Sequence, residues 1–383
     1  MTRRVNVVGA AMVPMGKHHR SSYAGLAVPA VLGALDSAGA AREQIQAVFC
    51  GHAFGGMLTG QRIVKEVGLG GIPVTNVENA CSGGATALHE AYGAVAEGRH
   101  DAVLVIGVDK LTQFGGGTLP LAAEDPEVRQ GMVMPALYAM RARRFLHERD
   151  ATVEDLALVS VKARRHGALN PYAQFRAEVT VGDVLDSRPI ADPLTLLQCC
   201  PTGDGAAALV IVSDDLRERL DNPPSLRIRA SVLHSGQVTG GYRDMLRPEI
   251  TFDSARDAYE QAGVGPADLD VVELHDAFTI AELVYYEALG LCGDGGSAAL
   301  LRSGATSFGG QVVVNPSGGL LAKGHPVGAS GAAQVVEMFW QLTGRAGRRQ
   351  VEGARLGLTH VTGGGLSGLD HGACTVHIFE RAA

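Results

Sequence analysis

The fold class is indicated by a continuous pattern over residues 76–108, which read NVENACSGGATALHEAYGAVAEGRHDAVLVIGV. An apolar strand at Val74–Val77 leads into it, and Ser82–Ala96 then has the spacing of a helix with one apolar face, ended by Gly98. Asp101–Val108 follows as an unbroken apolar run, which is typical of a strand covered on both faces. Strand, helix and strand in this order predict a parallel sheet with helices packed on it.

The same alternation extends in both directions from this stretch. Further strands are predicted at Val5–Ala10, Ala47–Cys50, Ala206–Val212, Leu226–Val232, Val271–Leu274, Val312–Val314, 355–361 and 373–379, and helices at 22–39, 251–263, 278–289 and 329–342. Residues 111–195 break the alternation, because they are richer in proline, glycine and charge and hold amphipathic helices near 135–148 and 152–166. We therefore expect an α/β protein in which this segment forms an inserted cap.

Two short segments indicate an internal duplication. SAGAAREQIQAVF (37–49) and QAGVGPADLDVVE (261–273) share Ala-Gly, an apolar residue six positions after that glycine and a valine three positions further on. The order of predicted strands and helices around the two segments is also alike. Duplication is therefore the better interpretation, although so short a match alone also fits chance.

The composition excludes several classes of protein. Apolar residues make up 46% of the 383 residues and charged residues 19%, which excludes a disordered chain and suits two or three packed units. The formal net charge of −7 argues against a nucleic-acid partner. There are 51 glycines but only 16 prolines and no G-x-y period, which excludes collagen and indicates many tight turns and close backbone approaches.

Features that report on the compartment point to the cytosol. Pro14 and Gly16 end the first apolar stretch, which favours a strand over a signal peptide. No run approaches the roughly 18 apolar residues of a membrane span. The six cysteines form no C-x-x-C pair, which disfavours a zinc or redox site and suits a reducing, cytoplasmic location; they are Cys50, Cys81, Cys199, Cys200, Cys292 and Cys374.

Cys81 is the first candidate for chemistry, because it lies where a strand ends and a helix begins. A thiol there faces the positive end of the helix dipole and free backbone N–H groups, both of which favour the thiolate. The small residues that follow it keep the first turn slim, so that a substrate can approach the sulfur. A buried cysteine capping a tight turn is the alternative, and local features do not separate the two.

His325 is the second candidate, in the glycine-rich segment NPSGGLLAKGHPVGASGAAQ (315–334), which follows a strand and precedes a helix. The helix dipole favours the neutral imidazole there, and a neutral imidazole can accept a proton from a thiol. A phosphate-binding loop is the alternative, since such loops also open helices. Turn chemistry does not require the histidine of Gly-His-Pro, which favours a chemical role.

His275 is the third candidate, in ELHDAFTIAELVYYEALG (273–290), where Asp276 is a plausible N-cap of the following helix. Ligands of open α/β sheets gather beyond the carboxyl ends of the strands. Cys81, His275 and His325 all occupy that position, so we expect them to share one site. A His-Asp metal pair is the alternative, but other suitably spaced ligands are not apparent.

The segment GGGLSG (363–368) formally matches the dinucleotide fingerprint G-x-G-x-x-G. That fingerprint needs a following helix within a βαβ unit, and the remaining residues here read as a strand, so a nucleotide role is rejected. A tight turn that lines the site is the better interpretation. The N–H groups of Gly364 and Gly365 are then candidates for stabilising an oxyanion.

Together these segments resemble the thiolase family, and most closely its sterol-carrier-protein-type branch. NVENACSGG is similar to the family's nucleophile segment, HDAF to the branch's His-Asp-Cys-Phe motif, and NPSGGLLAKGHPVGASG to its Gly-His-Pro block; HGALNPYAQFR (166–176) and CCPTGDGAAAL (199–209) also resemble the branch. The resemblance spans nearly the whole chain. It implies a five-layered αβαβα fold of two similar βαβαβαββ halves, residues 1–225 and 226–383, with about 111–195 inserted in the first.

The resemblance also implies roles for individual residues. Cys81 matches the acyl-accepting nucleophile, His325 the base that activates it, and His275 the residue that helps to hold the thioester oxygen. Met134 and Ser317 are candidate contacts for coenzyme A. No metal and no permanently bound cofactor are implied, since the coenzyme A thioester is itself the substrate. A homodimer or homotetramer is the expected assembly.

The chain departs from the family at the second catalytic cysteine, the acid/base for the acceptor carbon. The sterol-carrier branch has it after His-Asp, where this chain has Ala277, and the main branch has it before Gly-Gly-Gly, where this chain has Val361–Thr362. Cys374 falls in the last predicted strand and is interpreted as structural. His275 or His360 is a possible substitute base.

Three functions follow from this pattern. The leading expectation is an acyl-CoA-dependent acyltransferase that performs 3-ketoacyl-CoA thiolysis or Claisen condensation through an acyl-Cys81 intermediate. The enzymatic alternative is a C-acyltransferase whose acceptor is not a CoA ester, such as a phenol or a substrate that decarboxylates. The third is a catalytically weak subunit that binds acyl-CoA and supports a small partner protein.

Overall fold

The computed structural model describes residues 3–221, 223–237, 243–365 and 371–382. Its strands are β1 (Val5–Met12), β2 (Ala47–Gly51), β3 (Val74–Val77), β4 (Ala102–Lys110), β5 (Pro189–Ala191), β6 (Leu194–Thr195), β7 (Asp204–Ser213), β8 (Leu226–Ser235), β9 (Val271–Glu273), β10 (Val313–Val314), β11 (Leu356–Gly363) and β12 (Ala373–Arg381). Its helices are α1 (Tyr23–Ala38), α2 (Thr59–Val67), α3 (Gly83–Ala96), α4 (Pro126–Arg129), α5 (Met134–Glu148), α6 (Val153–Ala168), α7 (Val181–Leu185), α8 (Asp214–Arg217), α9 (Glu249–Ala262), α10 (Thr279–Ala288), α11 (Ser297–Arg302), α12 (Gly319–Lys323) and α13 (Ser330–Leu342).

The predicted strands and helices are all present, with ends shifted by a few residues. Sequence patterns missed the shorter elements, which include α2, α11 and the β5–β6 hairpin. Glycine explains the omission of α2, because Gly60 lies inside that helix and Gly68 ends it in the left-handed conformation. A Cβ on Gly60 would meet the side chains of Val74 and Cys50 at 2.8 and 2.9 Å, so the glycine lets α2 approach the sheet.

Ten strands form one sheet in the order β10-β9-β11-β12-β8-β1-β7-β4-β2-β3. The prediction of a parallel sheet is only partly right. The strands β2, β3 and β4 pair in parallel, but β7 lies between β1 and β4 and is antiparallel to both. The chain reaches β7 from the inserted segment rather than through a crossover helix, so the right-handed crossover that makes neighbours parallel does not apply there.

The order of the strands is symmetric about the β1–β8 pair. The series β1, β7, β4, β2, β3 on one side corresponds to β8, β12, β11, β9, β10 on the other. The repeat at 37–49 and 261–273 also has one structure in both places: a helix ends at a left-handed glycine, Gly39 or Gly263, and a 3₁₀ turn and a strand follow. The two series are therefore structurally equivalent, while a boundary at residues 225/226 stays a prediction.

The helices and the two halves of the sheet form five layers. The helices α1 and α2 cover one face of the first half, and α9 and α10 cover the outer face of the second. Between the halves lie α3 and α13, whose apolar side chains share one core with β1, β2, β4, β7 and parts of β8 and β12. All residues of α13 except Trp340 are buried, because the helix is enclosed on every side.

Glycines let the two central helices approach closely near their N-terminal ends. A Cβ on Gly84 would lie 2.5 Å from the carbonyl oxygen of Gly328, and a Cβ on Gly331 would lie 2.7 Å from the backbone nitrogen of Ala85. Real Cβ atoms do not come this close to backbone, so glycine is required at both places. Some of the many glycines of the sequence are thus explained, because they let the turns that precede α3 and α13 lie next to each other.

The inserted segment packs on the second half of the molecule. Tyr138 and Phe145 of α5 and Leu156 of α6 are buried in the same cluster as the apolar side chains of α9 and α10. The helix α6 also contacts α12, which leads into the Gly-His-Pro turn. Among the described residues, none of the helices is both long and apolar enough to cross a membrane.

Candidate active site

Cys81 lies in a tight turn between β3 and α3. After Val77 the chain makes one 3₁₀ turn, Ala80–Ser82, in which Ala80 has a φ of +46°. This left-handed conformation costs a non-glycine residue about 1–3 kcal/mol and persists only where the surroundings fix it. Strain of this kind marks the residue directly before the thiol.

Contacts from the second half of the molecule hold the Cys81 turn in place. The hydroxyl groups of Ser82 and Thr375 hydrogen-bond at 2.9 Å. Gly363 at the end of β11 packs so closely that a Cβ there would lie 2.1 Å from the carbonyl oxygen of Asn79. The β11–β12 hairpin therefore fixes the conformation of the turn that carries the thiol.

The segment before His325 is anchored by buried hydrogen bonds to the end of β9. Asn315 has a φ of +53°, and its side-chain oxygen accepts from the N–H of Leu274 at 2.8 Å. The N–H and hydroxyl of Ser317 donate to the Glu273 carboxylate at 3.0 and 2.7 Å. These bonds tie the two strand ends that carry His275 and His325 to each other.

Asp276 caps a different helix from the one expected. The sequence predicts it as the N-cap of the following helix, but α10 begins at Thr279 and its N-cap residue is Phe278. The Asp276 carboxylate instead accepts from the N–H of Leu320 at 2.7 Å, at the start of α12. A Cβ on Gly319 would lie 2.0 Å from that carboxylate, so this glycine leaves room for the cap. Asp276 therefore braces the segment that leads to His325.

The three candidate residues come together in space. One ligand-type atom of each of Cys81, His275 and His325 lies within 4.8 Å of the other two. The imidazole rings of His275 and His325 meet edge to face, with centroids 5.1 Å apart. The expectation that three strand ends share one site is thus met by the geometry. A thiol with two imidazoles can perform nucleophilic and acid/base chemistry, and it can also bind a soft metal ion.

The hydrogen bonds of His325 define its tautomer. Its Nδ1 lies 2.7 Å from the Ser330 hydroxyl, and that hydroxyl donates to the carbonyl oxygen of Pro326 at 3.0 Å. The hydroxyl has one proton, so it accepts at His325, and Nδ1 of His325 carries the hydrogen. The lone pair of the imidazole is then on Nε2, which is the arrangement that a base requires.

The free thiol of Cys81 is not activated in the way that its position predicts. Burial raises the pKa of Cys81 to about 12, while the N–H of Gly364 acts in the opposite direction and the charges of Asp109 and Glu78 add to the rise. The expected preference for the thiolate at the helix start is therefore wrong for the unliganded site. Desolvation of the sulfur outweighs the helix field, so a base has to take the proton.

Both histidines of the group are neutral near physiological pH. Burial, assisted by the charge of Lys323, lowers the pKa of His325 to about 4. Burial also lowers the pKa of His275 well below its ordinary value, and the neighbouring His325, His360 and His371 add to that effect. The neutral state expected for His325 is therefore present, but desolvation is its main cause.

His360 is a neighbour of His275 but does not belong to the group of three. Its Nε2 is 3.1 Å from the Thr251 hydroxyl, and its ring packs edge to face on Tyr285 with centroids 4.5 Å apart. Alternate residues of a strand face opposite sides, so His360 points away from the side on which Gly363 meets the Cys81 turn. Its place beneath α9 and α10 does not favour the substitute role proposed for it.

The other predicted residues have mixed positions. Gly364 has a φ of +66°, and its N–H acts to lower the pKa of the Cys81 thiol. A role for the N–H of Gly365 stays a prediction. Ser317 is fully buried and bonded to Glu273, and Met134 is half-buried at the start of α5. Contacts of Ser317 and Met134 with coenzyme A stay predictions. Residues 366–368 of the GGGLSG segment lie outside the described residues.

Sequence reasoning missed several residues that shape the site. Ser330, five residues after His325, was not singled out, although it is the first residue of α13 and its hydroxyl reaches back over one 3₁₀ turn to the imidazole. Cys200 is one of the six cysteines, but the sequence pattern does not assign it to the site. Its N–H donates to the carbonyl oxygen of Ala277 at 2.9 Å, and the nearby Cys81 is one cause of its raised pKa. Cys200 therefore lies close to the position where the family has its second cysteine.

Comparison with known proteins identifies the family of the chain. Residues 5–215 match the family model "Thiolase, N-terminal domain", and residues 233–376 match "Thiolase C-terminal domain-like". The chain is 42% identical to the benzoylsuccinyl-CoA thiolase subunit BbsB of Thauera aromatica over 98% of its own length and 99% of that protein. It is 37% identical to sterol carrier protein 2 of Gallus gallus, covering 95% of this chain and 70% of that protein.

Among solved structures, the chain is similar to the Ltp2–ChsH2(DUF35) aldolase, with a TM-score of 0.86 and 26% identity over 99% of this chain and 98% of that one. The family models together cover most of the sequence, and relatives above 30% identity match it along nearly its full length. This protein belongs to the thiolase family, with sterol-carrier-type thiolases among its relatives.

Proposed function

We propose that this thiolase-family protein transfers an acyl group from a coenzyme A thioester to the sulfur of Cys81. The observation that carries the proposal is the convergence of Cys81, His275 and His325 within 4.8 Å at the strand ends. A neutral thiol beside a neutral imidazole whose Nε2 lone pair is available is a nucleophile with its base. The CoA substrate class is supported by the thiolase named among the relatives.

In this proposal, acylation begins when Nε2 of His325 removes the thiol proton as the sulfur attacks the thioester carbonyl. A carbon–sulfur bond to Cys81 forms, and the carbonyl oxygen becomes an oxyanion. The groups proposed to stabilise that charge are the backbone N–H groups of Cys81 and Gly364 and the imidazole of His275, all of which lie near the sulfur. When the oxyanion collapses, the bond to the CoA sulfur breaks, and the protonated His325 returns its proton to that sulfur.

The second half-reaction transfers the acyl group from Cys81 to an acceptor. The acceptor is the thiol of CoA in thiolysis, or a carbon nucleophile in condensation. Ala277 and Val361–Thr362 stand where relatives of the two branches have a cysteine, which favours the alternative of an acceptor that needs no α-proton removed, such as a phenol or a decarboxylating substrate. His275 is the substitute base that the geometry favours over His360, since only His275 lies in the group of three.

We further propose that the chain works within an oligomer. One relative is named as a thiolase subunit, and the similar solved aldolase contains a second protein. In this chain β3 is the outermost strand of the sheet, and Met57 and Leu58 nearby are 82% and 59% exposed. A homodimer or homotetramer covers such apolar side chains, and a small partner protein is the alternative. Light scattering of the purified chain, alone and after Met57→Lys, distinguishes an oligomer from a monomer.

Acyl trapping tests the catalytic proposal. The protein is incubated with acetyl-CoA or a longer acyl-CoA, and its intact mass is measured with and without Cys81→Ala. We expect one acyl group per chain, absent in the variant, whereas Cys292→Ala, which removes a partly exposed thiol elsewhere, keeps the adduct. An unmodified wild type, or a variant modified equally, contradicts the proposal. Adding CoA, acetyl-CoA or a phenol to the adduct then identifies the acceptor.

A further inference from the structure

We propose that Cys81, His275 and His325 also form a binding site for one zinc ion, or another thiophilic divalent cation, whose occupancy reversibly blocks acylation. The cation-binding part of the inference is independent of the proposed function. The inhibitory part rests on it, because the same three side chains then serve both purposes. Such a site makes the protein sensitive to free zinc.

The separations suit a small tetrahedral ion. Zinc lies about 2.3 Å from sulfur and about 2.0–2.1 Å from nitrogen, so tetrahedral ligand atoms are roughly 3.3–3.6 Å apart. The three candidate ligand atoms all lie within 4.8 Å of one another. Each has to move by less than about 1 Å to reach the zinc geometry.

The donor set selects the class of cation. One sulfur and two imidazole nitrogens are ligands for zinc and similar borderline or soft ions, whereas magnesium and calcium need oxygen. The three residues come from different segments of the sheet region: Cys81 follows β3, His275 follows β9, and His325 follows α12, which comes after β10. The site is therefore held by the folded sheet and does not need metal in order to form.

The hydrogen bonds around the group leave its nitrogens available. His325 donates from Nδ1 to Ser330, so Nε2 offers a lone pair. His275 is 3% exposed, and among the described residues its Nδ1 is a buried atom without a hydrogen-bond partner. A buried imidazole nitrogen without a hydrogen-bond partner is available to a ligand such as a metal ion. An outer bond that fixes a ring, like that of Ser330, is what metal-ligating histidines use.

Binding of the cation releases one proton from the protein. The Cys81 sulfur forms a bond to the cation, and its thiol proton passes to solvent, while both imidazoles bind through existing lone pairs. The bound sulfur and the bound Nε2 of His325 are no longer nucleophile and base. Cys81 is partly exposed, so the fourth position of the ion is open to water or a chelator, and removal of the ion restores the site.

Cobalt substitution tests the site without an assay of activity. Co²⁺ is added to the purified wild-type protein, and the thiolate-to-cobalt charge-transfer band and the visible bands of tetrahedral cobalt are recorded. We expect one ion per chain, displacement by Zn²⁺, and loss of the charge-transfer band in Cys81→Ala and in wild type alkylated at Cys81. The alkylated wild type covers the case in which the variant does not fold. Cys292→Ala is the matched control and keeps the band.

Two further measurements separate the outcomes. Ser330→Ala is expected to weaken cobalt binding by about 10–100-fold, because it removes the bond that orients His325. Zn²⁺ is expected to abolish acyl-adduct formation, and a chelator to restore it. Cobalt binding without any acyl adduct upholds the metal site and overturns the proposed function. Octahedral cobalt bands, binding that survives alkylation of Cys81, or acylation unaffected by bound zinc contradicts the inference.

Discussion

The turn before α3 and the turn before α13 occupy equivalent places in the two halves of the molecule, yet they are built differently. In the first, Cys81 is partly exposed and follows the strained Ala80. In the second, His325 is buried and follows a segment whose polar groups bond to Glu273 and Asp276. The corresponding turns thus carry a thiol in one half, two residues before α3, and an imidazole in the other, five residues before α13.

This difference shows how a duplicated fold can provide two unlike groups. A nucleophile has to be reached by a substrate, so its turn leaves the thiol partly exposed, while contacts of Ser82 and Gly363 hold the edges of the turn. A base needs a fixed tautomer, so its turn is enclosed, and Ser330 orients the ring. Close packing of α3 on α13 at Gly84 and Gly331 then brings the two turns to one site.

Removing the thiol from the first turn is expected to have the largest effect. Cys81→Ala removes the atom that accepts the acyl group, so turnover falls by at least about 10⁴-fold. Steady-state kinetics with an acyl-CoA measures the loss. Cys200→Ala is the matched control for a nearby thiol, and an equal loss there, with acylation kept in Cys81→Ala, reverses the assignment of the nucleophile.

Removing the imidazole from the second turn is expected to have the next largest effect. His325→Gln keeps the size and a polar end but cannot take a proton, so acylation slows by about 10²–10⁴-fold. Rapid-quench measurement of the acyl adduct reports this step separately from acyl transfer. His360→Gln is the control, since that ring lies beneath α9 and α10, and a loss as large there restores His360 as a base.

Substitution of Ser330, which orients this imidazole, is expected to slow acylation less than substitution of His325. Ser330→Ala removes one buried hydrogen bond, of about 1 kcal/mol, so acylation slows by roughly tenfold while the KM for acyl-CoA is unchanged. Ser330→Thr keeps the hydroxyl and is expected to restore most of the rate. A rise in KM with an unchanged acylation rate argues against a positioning role.

The glycines between the central helices are expected to affect stability. Gly84→Ala and Gly331→Ala each force a Cβ within 2.5–2.7 Å of backbone atoms and reduce the free energy of unfolding by about 1–3 kcal/mol. Gly93→Ala, in the middle of α3 with its nearest neighbour 4.0 Å away, is expected to stabilise by about 0.5–1 kcal/mol. Urea denaturation measures all three. Equal effects at the three positions contradict the close-approach explanation.

Much of the fold and the three central side chains could be predicted from the sequence. Cys81 and His275 closely follow predicted strands and His325 belongs to the segment after another one, and strand ends of a parallel array meet at one edge, so the order of elements predicts their convergence. The short helix α12 between β10 and His325 was not predicted. The direction of β7 could not be predicted in this way. Strand β7 follows a long insert, and periodicity alone does not tell where such a strand pairs.

Contacts between distant residues account for what the sequence did not predict. Local capping rules predict that Asp276 caps the helix that directly follows it. In the structure its carboxylate instead accepts a hydrogen bond from the N–H of Leu320, 44 residues away. The face of β11 on which His360 lies could not be predicted either. The alternation of side chains along a strand shows which residues share a face, but not which neighbours that face contacts. The pKa of Cys81 depends on burial by residues that are distant in sequence and do not belong to its motif. That burial raises the pKa and so reverses the expected preference for the thiolate.

The central claim is that the buried base in one turn deprotonates the thiol in the other at the moment of attack. The pH dependence of single-turnover acylation, in wild type and in His325→Gln, tests it most directly. The pKa of His325 is lowered to about 4, so its imidazole is neutral above about pH 5, and the pKa of Cys81 is raised to about 12, so its thiol stays protonated. Neither group changes its protonation state between about pH 6 and 9.

We therefore predict a flat wild-type rate over that range. In His325→Gln only the thiolate can attack, and its fraction rises about tenfold for each pH unit below the pKa, so the variant's slow rate should rise accordingly. Cys81→Ala serves as the blank at each pH. A wild-type rate that rises with pH as steeply as that of the variant, or a variant rate that is flat, contradicts the account.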